Sequence, residues 1–287
     1  MKKSALWIIA IAASGGALAQ DAELSWEPTE VAPGIYMFEG QGGFTGGNLG
    51  LLVGDDGIVL IDDGIPEVSV ATLAAVEAVI GAPPDFLINT HAHGDHTGAN
   101  DEYREMGTTV LAHDNLRQAL VDDENFPRAG LPELTFNDAV TFHLNGQTAY
   151  IFHIPSAHTS GDSAIHFTEA NVLHTGDVLF NRIFPFIDID GGGSVNGYIA
   201  GQQRMLGMID DDTTVIPGHG PLADKADMQA ALDMLIDAQA RVQALVDEGL
   251  SLDEVKAANP LATYESWSWG FITTERMTET LYRAATQ

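Results

Sequence analysis

Residues 91–96 read His-Ala-His-Gly-Asp-His, preceded by Thr90 and followed by Thr97-Gly98. Three imidazoles and a carboxylate within six residues restrict where this chain can place them. Burying such groups without partners costs several kcal/mol each, roughly. They belong at the end of a scaffold element, facing something that satisfies them. Imidazole and carboxylate are ligands for zinc and similar borderline metals. A solvated loop could carry the same residues by chance, so the remaining motifs decide the matter.

Three motifs follow in order. His158 stands in Ser156-Ala157-His158-Thr159-Ser160-Gly161-Asp162, Asp177 in His174-Thr175-Gly176-Asp177, and His219 in Pro217-Gly218-His219-Gly220-Pro221. Each follows an apolar, strand-like run, at residues 149–154, 171–173 and 213–216, and sits among small residues. The first cluster also follows such a run, at residues 85–90. Strand ends that open into small-residue loops are where α/β scaffolds expose chemistry.

These four motifs, H-x-H-x-D-H, then His, then T-G-D, then P-G-H-G, resemble the metallo-β-lactamase superfamily over roughly residues 30–225. The resemblance implies an α/β fold, an αβ/βα four-layer sandwich of two mixed sheets with helices outside. A helical extension follows it. It implies two zinc ions, with iron as an alternative metal. His91, His93 and His158 would hold one ion, Asp95, His96 and His219 the other, and Asp177 would bridge them. A hydroxide shared by the metals would attack an acyl carbonyl, with Asp95 as the catalytic residue that orients it and passes its proton on. Asp62, in Ile61-Asp62-Asp63-Gly64, would hydrogen-bond a ligand imidazole, or else simply form the turn. Asp63 reads as a plain turn residue.

The implied reaction is hydrolysis of a β-lactam, lactone, thioester or ester in a small acyl substrate. Export favours β-lactams. Asp177 favours thioesterases and lactonases, because true β-lactamases of the superfamily usually carry Cys or Ser there. The ligand set looks most like glyoxalase II, although the basic C-terminal residues with which that enzyme binds glutathione are not evident. One alternative is a mono-iron, persulfide-dioxygenase-like oxidoreductase using His91, His158 and Asp177. A non-catalytic metal-binding protein is the other, yet no ligand is missing. A flavodiiron protein would need a flavodoxin-like domain after the motifs.

Composition narrows the partners. Lys2-Lys3, the apolar residues 5–13 and Ala17-Leu18-Ala19 read as an exported leader, residues 1–19, cleaved near Ala19. The apolar run is short for a membrane anchor and is broken by Ser14-Gly15-Gly16. The expected location is periplasmic. Without two leader lysines the charge is 10 minus 41, or −31. Such a surface disfavours nucleic acid and anionic membranes, and with them a nuclease. The chain has no cysteine, so disulfides and thiolate ligands are excluded. Residues 20–225 are expected to form the catalytic domain and 226–287 a helical extension packed on it. Residues 226–248 show an amphipathic helix, Ser251-Leu252-Asp253-Glu254 a capping box, and 275–285 a last helix. Trp267 and Trp269 pack on the sandwich, or serve as a substrate wall or dimer contact. Two loops are expected to frame the pocket. Residues 39–47 carry Phe44 on a glycine-rich flap. Residues 181–194 carry Phe184, Phe186 and Arg182, the last as a handle for a substrate carboxylate or as half of a surface ion pair.

Overall fold

A computed structural model describes residues 24–286. The expected leader lies outside those residues. Strands β1 (Ser25–Ala32), β2 (Ile35–Gln41), β3 (Leu49–Leu52) and β4 (Val59–Ile61) form an antiparallel meander. Beyond β4 the sheet turns parallel, through β5 (Phe86–Ile88), β6 (Thr109–His113) and β7 (Leu134–Phe136). Parallel neighbours need crossovers. Helices α1 (Ser69–Ile80), α2 (Asn100–Glu105) and α3 (Asp114–Asp122) lie in those connections.

The second sheet has the order β13-β12-β11-β10-β9-β8. Its strands are β8 (Ala139–Leu144), β9 (Gln147–His153), β10 (Ser163–Phe167), β11 (Val172–His174), β12 (Thr214–Ile216) and β13 (Ala223–Asp224). Helix α4 (Val195–Leu206) connects β11 to β12, which pair in parallel. After β13 come α5 (Lys225–Asp247), α6 (Leu252–Ala258) and α7 (Thr274–Thr286).

The period-two alternation of side chains explains the layering. Val59 and Ile61 face the second sheet, where they join Ile151, Ile165 and Ile216 in one buried cluster. Leu60, between them, faces outward with Val76 of α1 and Tyr103 of α2. Helices α4, α5 and α7 cover the far side of the second sheet through Tyr198, Leu235, Ala238 and Leu281. The result is the expected α/β four-layer sandwich with a helical C-terminal region.

The patterns at residues 226–248 and 275–285 match α5 and α7 to within a residue. The capping box of α6 is present: Glu254 accepts from the Ser251 backbone N–H at 2.8 Å. A 3-10 stretch at Ala262–Trp267 carries no apolar periodicity and is a product of packing. No helix among the described residues is long and apolar enough to cross a membrane.

Strand direction places the site. In the first sheet β4 and β5 run parallel, so Asp62 and residues 91–96 leave from the same end. In the second, β9 and β11 are each antiparallel to β10, and β11 is parallel to β12. The chain after β9, β11 and β12 therefore also emerges at one end. His158, Asp177 and His219 lie there.

Candidate metal centre

Seven side chains meet where those loops converge. His91 Nε2 lies 3.1 Å from His93 Nδ1, which lies 2.8 Å from His158 Nε2. Asp177 Oδ2 is 3.7 Å from His91 Nε2 and 3.4 Å from His158 Nε2. On its other side, Asp177 reaches His96 Nε2 at 3.2 Å and His219 Nε2 at 3.4 Å. Asp95 Oδ2 stands 3.6 Å from His96 Nε2 and 3.4 Å from His219 Nε2. Asp177 thus touches rings on both sides, and the residues able to hold a metal are the seven that the motifs single out.

The outer hydrogen bonds show what these rings are arranged for. His158 Nδ1 donates to the Phe186 carbonyl at 2.7 Å. His93 Nε2 donates to Asp188 Oδ2 at 3.0 Å, and His96 Nδ1 to Asp62 Oδ2 at 2.8 Å. Thr90 Oγ1 gives its one proton to Asp62 at 2.7 Å, so it must accept from His91 Nδ1 at 3.1 Å. The bonds of His158, His93 and His91 fix tautomers whose lone pairs point inward. Three lone pairs then converge on one another at hydrogen-bond distance, with the imidazole protons held outside. A cation between them would satisfy all three at once.

Spacing supports a metal. Four ligand atoms about 2.1 Å from a tetrahedral ion stand about 3.4 Å apart, and the contacts here run from 2.8 to 3.7 Å. His96 Nε2 and Asp177 Oδ1 are buried without any hydrogen-bond partner. An orphaned buried acceptor beside an orphaned nitrogen fits a second ion.

Electrostatics divides the groups in the same way. Burial holds His158 down to about 4, only partly offset by Asp177. Burial likewise holds His91 well below the usual imidazole range, with His96 adding to the effect. At His219 burial acts downward too, but the Asp177 charge and hydrogen bonds to Asp177 and Asp95 outweigh it and lift the ring to about 9. Burial would raise Asp95, but the His96 charge and a hydrogen bond from His219 bring it to about 2. His91 and His158 are therefore held neutral, whereas His219 is paired with carboxylate.

Close backbone approach completes the pocket floor. A Cβ on Gly218 would lie 2.0 Å from Asp177 Oδ1, and one on Gly47 would lie 2.1 Å from His96 Cε1. The glycine-rich flap is fastened here, since Gly47 N–H donates to Asp95 O at 3.2 Å and Asn48 N–H to Gly218 O at 2.7 Å. Phe44 stands at its tip, more than half exposed, facing His219 at 6.1 Å.

Asp62 sits beneath the cluster, fully buried, with a positive φ of 60° and a carboxylate bonded to His96 and Thr90. Asp and Asn tolerate that backbone region. Asp62→Asn keeps the turn and removes the charge, so it is expected to weaken zinc affinity about 10–100-fold. Competition with a chromophoric chelator measures this, and an unchanged affinity would show that Asp62 only shapes the turn.

Several sequence expectations need correction. Arg182 lies outside the cavity: its side chain is mostly exposed and pairs with Asp227 at 3.1 Å. It sits in the loop just after Phe180 in a positive-φ conformation (63°) and is directed to α5. Phe184 is fully buried with Tyr198 and Leu235, because the loop folds inward under the C-terminal segment. Its backbone is clamped there, N–H donating to Trp267 O at 2.8 Å and carbonyl accepting from Trp269 Nε1 at 2.9 Å. Phe184→Ala is therefore expected to act mainly on stability, costing about 3–5 kcal/mol, seen as a lower melting temperature. Asp63 is no exposed turn residue; it is fully buried, and burial pushes its carboxyl well above the usual range.

Phe186 does line the cavity, which has a volume of about 500 Å³ and is shared with Phe44, Phe180, Trp269 and Phe271. Trp269 takes the substrate-wall place that its sequence position allows, whereas no sequence pattern marks Phe180 for the cavity. Asp188, on the same loop as Phe186, holds His93. Its partner His93 is 95 residues distant, and no local pattern links them. His174 stays apart from the cluster; its Nδ1 accepts the Gly176 N–H at 3.2 Å.

Comparison with known proteins agrees with this geometry. Residues 42–219 match the family model described as the metallo-beta-lactamase superfamily. A probable metallo-hydrolase of Bacillus subtilis, YqgX, is 28% identical over 153 residues, covering 50% of this chain and 72% of that protein. A hydroxyacylglutathione hydrolase of Pelagibacter ubique is 32% identical over 97 residues, 33% of this chain and 36% of that protein. The chain thus spans about a third of the latter's length. In fold, a metallo-beta-lactamase from Pontibacter korlensis superposes with a TM-score of 0.64 at 19% identity, over 74% of this chain and all of that one.

Proposed function

Because the chain belongs to the metallo-beta-lactamase superfamily, we propose that it is a zinc-dependent hydrolase that cleaves an acyl bond of a small substrate. The bond is that of an ester, lactone, thioester or β-lactam. The observation that carries this reading is Asp177, one buried carboxylate in contact with His91, His158, His96 and His219 together. A carboxylate shared between two ligand groups is suited to hold two ions side by side.

His91, His93, His158 and Asp177 would hold one ion, and Asp95, His96, His219 and Asp177 the second. When bound, such ions supply Lewis acidity and a water acidic enough to ionise near neutral pH. The protein's own contribution is orientation and proton handling. Asp62, Asp188, Thr90 and the Phe186 carbonyl hold four rings in the required tautomers. Asp95 faces the cavity with its side chain about a fifth exposed, and is ionised at neutral pH. It is placed to accept a hydrogen bond from the attacking water and to pass a proton to the leaving group. Phe44 on the flap and Phe186 opposite limit the water around the reacting carbonyl. The leader supports export, and the periplasm is the proposed location.

The test is metal analysis combined with initial rates on an ester, a lactone, a thioester and a chromogenic cephalosporin, with and without chelator. Chelator-sensitive turnover with two zinc ions per chain supports the reading. One iron per chain without hydrolysis would overturn it in favour of an oxygenase.

A further inference from the structure

The cavity above the metal centre has nine lining residues. Four belong to the cluster itself, namely His93, Asp95, Asp177 and His219. The other five are Phe44, Phe180, Phe186, Trp269 and Phe271, and none is Lys or Arg. We propose that this site selects an uncharged substrate carrying a flat aromatic or apolar group beside the scissile acyl bond. Anionic thioesters and carboxylate-bearing β-lactams are its poor substrates. The proposal rests on the hydrolase reading and names the substrate class of that site.

The walls are preformed. Phe180 stacks on His219 at 4.8 Å, and Trp269 meets Phe271 at 5.7 Å. Phe271 packs edge-on against Phe186 at 5.3 Å. A planar ring entering this box finds aromatic faces on several sides. A carboxylate held against these aromatic walls finds no Lys or Arg, and burying it unpaired is costly.

Two arginines stand behind the wall and are already engaged. The Arg276 guanidinium stacks 3.9 Å from the Phe271 ring centre, and its Nη1 donates to the Phe271 carbonyl at 3.0 Å. Arg283 pairs with Asp190. Both border a neighbouring cavity that Asp188, Asp190, Glu275 and Glu279 also line, two cations against four carboxylates. An anionic tail reaching past Phe271 would enter a net negative space. The charge of the whole chain, −29, acts in the same direction. Salt screens that distant field within about 8 Å, so the composition of the wall is the stronger effect.

The experiment compares 4-nitrophenyl butyrate with 4-nitrophenyl hemisuccinate on zinc-loaded protein. The two share a leaving group and acyl length and differ in a terminal carboxylate. The anion is expected to show kcat/KM at least about tenfold lower. 4-Nitrophenyl phenylacetate is expected to exceed the acetate, and Phe271→Ala to shrink that ratio about tenfold. Binding gives a readout independent of turnover. Neutral N-phenyl-1-naphthylamine is expected to bind at least about tenfold more tightly than 1-anilinonaphthalene-8-sulfonate. Equal or better handling of the hemisuccinate, or equal binding of the sulfonate, overturns the proposal. If no ester, lactone, thioester or cephalosporin is cleaved, the hydrolase reading fails, and the probe pair still decides the selectivity of the wall.

Discussion

Replacing Asp177 by asparagine is expected to lower kcat/KM by at least about a thousandfold and to reduce bound zinc below two ions per chain. Asparagine fills the same space, so the fold should survive. What is lost is the negative charge that four imidazoles share, at 3.2 to 3.7 Å. Asp177 is held well below the usual carboxylate range because His219, His96, His91 and His158 together outweigh the cost of its burial. An amide there cannot balance two cations. Elemental analysis and steady-state rates on the same preparation check this. Normal rates with two zinc ions bound would remove Asp177 from the bridging role.

Chelation is expected to have the second large effect, on stability as well as activity. The three inward lone pairs of His91, His93 and His158 face each other at 2.8 to 3.1 Å, an arrangement that a cation relieves. Free zinc at 100 to 1,000 times its Kd adds about 2.7 to 4.1 kcal/mol to the native state. For a chain of this size each kcal/mol is worth about 2–4 °C in melting temperature. Removing zinc should therefore lower the Tm by about 5–15 °C and abolish turnover. Returning zinc should restore both. The metal-free chain should still unfold cooperatively, because the clusters around Ile61, Leu60 and Leu235 owe nothing to the metal. A Tm that does not move on chelation would mean that the centre binds zinc weakly or not at all.

Much of this protein was legible in its sequence because the information is local. Four short motifs mark the seven side chains, and each follows a strand whose apolar run is visible. Helices α5 and α7 follow from the patterns at 226–248 and 275–285, and the capping box announces α6. Residues 181–194 were less legible. Arg182 and Phe184 have suitable chemistry for a pocket, yet one turns to Asp227 and the other to the core. Their direction is set by contacts with α5 and with Trp267 and Trp269, from 45 to 85 residues away.

The sequence alone determined which side chains carry the chemistry and which strands deliver them, since ligand identity and strand alternation are properties of short segments. Tertiary structure alone decided the rest. Strand directions in two separate sheets bring the loops to one end. Asp62, Asp188, Thr90 and the Phe186 carbonyl fix the tautomers. Trp269 and Phe271 arrive from the C-terminal segment to close the wall over the metal centre. These are hydrogen bonds and packing contacts between residues far apart in the chain. Their geometry exists only once the two sheets have closed on their shared core.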